Sequence, residues 1–324
     1  MDPSATESLA VVGDVHGHLQ LAFCILARWQ RELGARFAAV LLCGDVGTFT
    51  DKAHLDNATV AHARQNPCEL EFLTQWAATP PAPWLERIFL PLGEGLGLQC
   101  PVVMVHGNHE GFALLEPFSG GGPPAVPVGA SDLPALDAKA RLRYLPSGWR
   151  FRTPGGTVVG GVGGIEPGQR GADYHPLAYV DEDAVISLAT SEPVDLLVTH
   201  QGPAMVQGES GSATLDLLAE RPSARIWCHG HGASEWEVAR VGPAGECQVV
   251  PLGDIAFPRR GPSMGNPGLD GWCFLDLERD QEPTLRREAP PFWRDYRRSR
   301  WRQTREGALV CPDLVPFVDR RRLA

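Results

Sequence analysis

Six short apolar runs, each closed by glycine or a polar side chain, restrict this chain to a small set of folds. They read LAVVGD at 9–14, FAAVLLCGD at 37–45, PVVMVHGN at 101–108, TVVGGVGG at 157–164, DLLVTH at 195–200 and RIWCHG at 225–230. Runs of this length, rich in β-branched residues and cut off by turn formers, predict buried strands that stop where the polar residues begin. Between the first two, HLQLAFCILARWQREL sets Leu19, Phe23, Leu26, Trp29 and Leu33 at three- and four-residue steps, the period of a helix with one buried face. Strand, helix, strand with polar residues at the strand C-ends predicts an α/β layered domain whose site forms at the carboxyl edge of the sheet.

Composition narrows the function classes. At 324 residues, 43% hydrophobic and 21% charged, the chain can bury a substantial core as one large domain or two small ones, and wholesale disorder is excluded. A net charge of −10 excludes a surface that is basic throughout, as a general nucleic-acid coat requires, and leaves room for a local basic patch. The segment from Arg259 onward carries fourteen arginines against ten acids and is the candidate for one. The start MDPSATESLAVVGD has neither a basic opening nor a sustained apolar stretch, and no run of about eighteen apolar residues occurs. A cytoplasmic protein without membrane contact is therefore expected. The eight cysteines show no C-x-x-C spacing, which predicts buried thiols rather than a disulfide framework or a zinc knuckle.

Three regions interrupt the strand pattern. Residues 47–100 make a long connection containing the helical-looking ELEFLTQWAA at 69–78 and then TPPAPW, a candidate lid or substrate-selecting insertion. FSGGGPPAVPVGASDLP at 118–134 reads as a mobile loop. After Pro258 the chain turns rich in Arg, Pro and Trp, with PPFWRDYRRSRWRQTR at 290–305. The expected organisation is a domain over 1–258 with its insertion, and a C-terminal extension over 259–324 that packs on or near it. That extension either clamps a polyanion by charge and stacking or wraps the domain with Trp293 and Trp301 buried.

The polar residues at the strand ends carry the chemistry. The first run ends in Asp14-Val15-His16, the second in Gly44-Asp45, the third in Gly107-Asn108-His109-Glu110, a later one in His200 and the last in His229-Gly230-His231. Each can place a hard oxygen or imidazole ligand at the same sheet edge, with glycines removing side chains that would obstruct it. Two carboxylates, one amide oxygen and four histidines suit two close divalent cations better than a single tetrahedral zinc, which needs four ligands.

GDVHG, GD, GNHE, TH and HGH, in this order between about residues 9 and 255, resemble the five sequence blocks of the calcineurin-like metallophosphoesterase superfamily, with Cys228 standing where the family often has glycine. The resemblance implies a four-layer α-β-β-α sandwich of two mixed sheets and hydrolysis of phosphate esters by a metal-bridging hydroxide. It implies that Asp14, His16 and His231 hold one metal, that Asn108, His200 and His229 hold the other, and that Asp45 bridges them. His109 would stand beside the scissile ester without ligating, where in its protonated form it would stabilise the oxyanion or protonate the leaving oxygen. Manganese is the first candidate metal, with iron, zinc, nickel, cobalt or magnesium as others.

Departures from the family pattern bear on the substrate. After Asp45 the chain reads VGTFTDK, without the Asp-Arg-Gly of the Ser/Thr phosphoprotein phosphatases, so a phosphate-clamping arginine is missing there. Phosphodiester or nucleotide substrates, nucleic acid among them, are favoured over phosphoproteins, with a broad phosphomonoesterase as the second enzyme reading. A non-catalytic binding module that docks a partner through the insertion or the tail is the reading from another class. The loop EPGQRGADYHP at 166–176 offers Arg170, Tyr174 and His175 either as substrate contacts or as solvated loop residues. His54 and His62 are expected as ordinary surface histidines. Glu110 either supports His109 or opens a helix, and Cys228 is expected to point into the core rather than to a metal.

Overall fold

The computed structural model describes residues 6–34, 36–64, 66–168, 175–221, 223–232, 237–257, 266–278 and 281–324. Among them, thirteen strands build two large sheets: β1 (Glu7–Val12), β2 (Phe37–Leu42), β3 (Val102–Met104), β4 (Val128–Gly129), β5 (Leu142–Tyr144), β6 (Arg150–Arg152), β7 (Val158–Val162), β8 (Val194–Thr199), β9 (Ala224–His229), β10 (Ala239–Val241), β11 (Cys247–Pro251), β12 (Trp272–Leu277) and β13 (Thr284–Arg286). The first sheet has the order β13-β12-β1-β2-β3-β5 and the second β10-β11-β9-β8-β7-β6-β4. Both are mixed: β1, β2, β3 and β5 run parallel while β12 is antiparallel to β1 and to β13, and β11, β9, β8 and β7 run parallel while β10 is antiparallel to β11 and β6 to β7, with β4 parallel to β6.

Alternation along the strands divides the core. In β1, Leu9 and Val11 face the second sheet with Leu41, Leu196, Val198, Ile226 and Cys228, whereas Ala10 and Val12 face outward with Val40, Leu42 and Phe274. Cys228 thus lies between the sheets, fully buried, because the two-residue period of β9 sends Trp227 the other way. Helix α1 (Leu19–Leu33) covers the outer face of the first sheet, with Trp29 stacked on Phe274 of β12 at 3.7 Å between ring centroids. Each such fully buried large side chain contributes about 1.5–3 kcal/mol. Gly34, with φ of +66°, closes α1 in the left-handed conformation that leaves glycine unstrained.

The insertion adds helices α2 (Asn57–Ala63) and α3 (Pro83–Phe89) over the same face. Beyond it lies the one-turn helix α4 (Phe112–Leu115). Helix α5 (Glu182–Ala189) packs Val185 and Leu188 on the outer face of the second sheet, against Val162, Leu197 and Trp227. The layers are therefore helix, sheet, sheet, helix. The Gly- and Pro-rich segment at 118–134 contributes β4 as an edge strand paired with β6. Past residue 258, β12 and β13 join the first sheet, and Trp293, Tyr296 and Trp301 are buried in the cluster beneath α1. No helix among the described residues is long and apolar enough to cross a membrane.

Candidate metal centre

The loops that follow β1, β2, β3, β8 and β9 converge where the two sheets meet. One ligand atom each from Asp14, Asp45, His200 and His231 lies within 4.8 Å of the others, and Asp14, His16 and Asp254 form a second such group. Asn108 joins the first group through His200, its Oδ1 standing 3.1 Å from Nε2. Backbone approach makes this crowding feasible. A Cβ on Gly107 would collide with the Asp45 carboxylate, and one on Gly230 with that of Asp14.

The site stores backbone strain. His16, Asp45 and His231 have φ of +43°, +46° and +48°, and Ala140 is the other non-glycine residue at positive φ among those described. Such conformations cost on the order of 1–3 kcal/mol each and persist where surrounding contacts over-determine them. Here the amide of His16 donates to the Asp45 carbonyl at 2.6 Å, that of His109 to Asp45 Oδ1 at 2.8 Å, and that of His231 to both Asp14 oxygens at 3.1 and 3.0 Å.

Two histidine tautomers follow from their partners. Nδ1 of His200 stands 2.9 Å from the Cys43 carbonyl, which can only accept, so the proton sits on Nδ1 and the lone pair on Nε2. Nε2 then faces Asn108 Oδ1 at 3.1 Å and Asp45 Oδ1 at 3.5 Å, acceptors without a donor among them. His229 repeats the pattern: Nδ1 is 3.0 Å from the Gly230 carbonyl, and Nε2 is buried without a hydrogen-bond partner. Burial opposes the charged form of both rings, lowering His200 from its ordinary pKa and His229 to about 4. Converging lone pairs and carboxylates of this kind fit divalent cations, because a cation satisfies several acceptors at once.

The carboxylates show the same need for positive charge. Burial, followed by the neighbouring Asp45 and Asp254, pushes Asp14 well above the usual carboxylate range. Asp45 is also buried, but the imidazoles of His200, His109, His16 and His231 outweigh that and hold it well below. Of the pair, Asp45 is the one that carries the negative charge, since four rings surround it.

His109 is partly buried beside this cluster, its ring 6.0 Å from that of His16. Its Nδ1 pairs with Asp56 Oδ2 at 3.1 Å. Asp56 is the N-cap of α2, accepting from the Thr59 amide at 2.8 Å, so the insertion holds it in place. Burial pulls His109 down, yet Asp45 and Asp56 together raise it to about 9. Glu110 reaches elsewhere: it accepts from the amides of Val46 and Thr48 at 2.8 and 2.9 Å and from the Thr48 hydroxyl at 2.7 Å, fixing the loop after Asp45. Its carboxyl is raised to about 7 by burial and then by Asp45.

A family model for calcineurin-like phosphoesterases matches residues 8–234, from β1 to just past His231. The chain belongs to that family. No curated protein sequence matches it. Among solved structures, one is similar at 14% identity over 87% of this chain and 99% of that chain, with a TM-score of 0.47. The crystal structure of TT1561 of Thermus thermophilus is similar at 14% identity, the same coverage and a TM-score of 0.46.

In this calcineurin-like phosphoesterase, Arg170 and Tyr174 lie outside the described residues. His175 is exposed and stacks on Phe112, with ring centroids 4.9 Å apart. His54 and His62 are exposed, and the ring of His62 lies 6.3 Å from that of His16. Sequence reasoning missed Asp254 and Asp56. Asp254 follows Gly253 after β11, the same Gly-Asp signal as Asp45, but the strand before it was not among the six apolar runs. Asp56 carries no local signal beyond a helix cap. A cavity of about 550 Å³ lies between the insertion and the C-terminal segment, lined by Glu71, Trp84 and Leu309 among others. It contains none of the candidate ligands and is not the reaction site.

Proposed function

We propose that this phosphoesterase hydrolyses phosphate esters with two divalent cations at the junction of its sheets. Asp14, His16 and His231 would hold one cation, Asn108, His200 and His229 the other, and Asp45 would serve both. The observation that carries this reading is the convergence of Asp14, Asp45, His200 and His231 on one point, together with the buried, unpartnered Nε2 of His229. When bound, the cations would neutralise phosphoryl oxygens and make an attacking water available near neutral pH. The mixed nitrogen and oxygen donors suit manganese as the first metal to test.

The chain's own residues supply the rest. Asp45 orients the reaction side of the site by accepting the His109 amide, and Asp56 engages Nδ1 of that ring. Proton delivery to the departing oxygen therefore falls to Nε2 of His109, as the bond from phosphorus to the leaving alcohol breaks and water adds its oxygen to phosphorus. A diester is favoured over a monoester. Among the described residues, the charges acting most strongly on Asp14, Asp45 and His109 are carboxylates and imidazoles, with no guanidinium to clamp a second phosphate charge.

Metal analysis of the purified protein, run with manganese-supplemented turnover of a chromogenic phosphodiester and its monoester, tests the proposal in wild type and Asp45→Ala. About two metals per chain and activity abolished by the substitution are expected, with the diester turned over faster. A protein that takes up no metal and cleaves neither ester would overturn it.

A further inference from the structure

A second cavity, of about 380 Å³, adjoins the metal centre at Asn108. Its size lies within the range of small-molecule pockets. Phe49 and Phe112 form its apolar wall, and His175 stacks on Phe112 with the rings 9° from parallel. Phe49 and Phe112 are buried, so this wall is fixed by the core rather than by a loose loop. Its ionisable lining consists of the carboxylates Asp56, Glu110 and Glu116 and the imidazoles His54 and His175, and includes no lysine or arginine among the described residues.

We propose that this cavity receives the leaving group of the ester and that the group it accepts is a flat, uncharged ring. The inference rests on the phosphoester hydrolysis proposed above. Position supports the leaving-group assignment: Asn108 borders both the metal centre and the cavity, and Asp56 lines the cavity while holding His109, the residue that serves the departing oxygen. Stacking selects shape, since a planar ring continues the Phe112–His175 pair whereas a branched alcohol leaves that face uncovered. Charge selects against polyanions. A leaving group carrying further phosphates would meet Asp56 and Glu116 and find no guanidinium or ammonium among the described residues to pair with.

Binding can be separated from leaving-group reactivity with phosphonates, whose carbon–phosphorus bond is not hydrolysed. Inhibition constants of methyl benzylphosphonate, methyl ethylphosphonate and the 4-carboxybenzyl analogue would be measured against manganese-loaded full-length protein. The benzyl compound is expected to bind about tenfold more tightly than the ethyl compound, and the carboxylate to remove most of that gain. Phe112→Leu, which keeps the volume, and His175→Ala, at an exposed position, should each shrink the benzyl-to-ethyl ratio at least about threefold. A wild-type ratio near one, or a ratio that neither variant alters, overturns the pocket assignment while turnover of the chromogenic diester leaves the phosphoesterase reading standing. Protein with no metal and no turnover overturns both.

Discussion

His109 takes its support from a residue 53 positions earlier in the chain: Asp56, held by the N-terminus of α2, pairs with Nδ1 at 3.1 Å. Asp45 by its charge, Asp56 by charge and hydrogen bond, and Glu110 by its charge raise the His109 pKa to about 9. Cations bound beside Asp45 would offset its pull, which leaves Asp56 as the anion that keeps the ring protonated and oriented. His109→Ala is therefore expected to keep both metals and lose most turnover, by about a hundredfold or more. Asp56→Asn should lower kcat by about tenfold with KM and metal content close to wild type. An Asp56→Asn protein whose KM and metal content shift while kcat holds would instead mark Asp56 as part of the scaffold alone.

At the scale of elements, Gln20 joins three parts of the chain that are far apart in sequence. From α1 its amide nitrogen lies 3.2 Å from Glu71 Oε1, 3.0 Å from Gln75 Oε1 and 2.9 Å from the Leu309 carbonyl, while its Oε1 accepts from the Cys311 amide at 3.1 Å. The Gln20 backbone amide donates to Glu71 Oε2 at 2.9 Å. Burial of Glu71 raises its carboxyl to about 8 against these hydrogen bonds. The folded chain then holds a proton that the unfolded chain releases, so stability falls as pH rises from about 4.5 to about 8 and levels off above. Glu71→Gln should flatten that slope, each unit of displacement corresponding to about 1.4 kcal/mol. Thermal melts from pH 5 to 9 decide it, and parallel curves for wild type and variant would refute the assignment. None of this network was legible in the sequence, because its members are single polar residues without a period. The strands β1, β2, β3, β7, β8 and β9 were legible as continuous apolar runs, and with them the ends where Asp14, Asp45, Asn108, His200 and His231 stand. Strands β11 and β12 escaped notice, and Asp254 with them, since CQVVP and WCFLDL are short runs in polar surroundings.

Across the whole molecule, the candidate centre is a seam. Asp14, His16, Asp45 and Asn108 come from the first sheet and His200, His229 and His231 from the second, so cations held by all seven would tie the two sheets together. Without them, the two buried carboxylates that the first sheet brings to the seam, Asp14 and Asp45, lie beside each other, and Asp45 opposes ionisation of Asp14. Metal binding should therefore stabilise the fold by linkage, by about 2.7 kcal/mol at a free concentration a hundred times the dissociation constant. Melting temperature is expected to rise by several degrees with added manganese and to fall on chelation. Asp14→Asn separates this from a nonspecific salt effect. It keeps an oxygen to accept the His231 amide and removes the buried carboxyl whose ionisation Asp45 opposes, so the metal-free variant should melt above metal-free wild type and respond little to manganese. A variant that is less stable than wild type without metal, or that gains as much from manganese, would show that the pairing of Asp14 with Asp45 is not what the cations relieve.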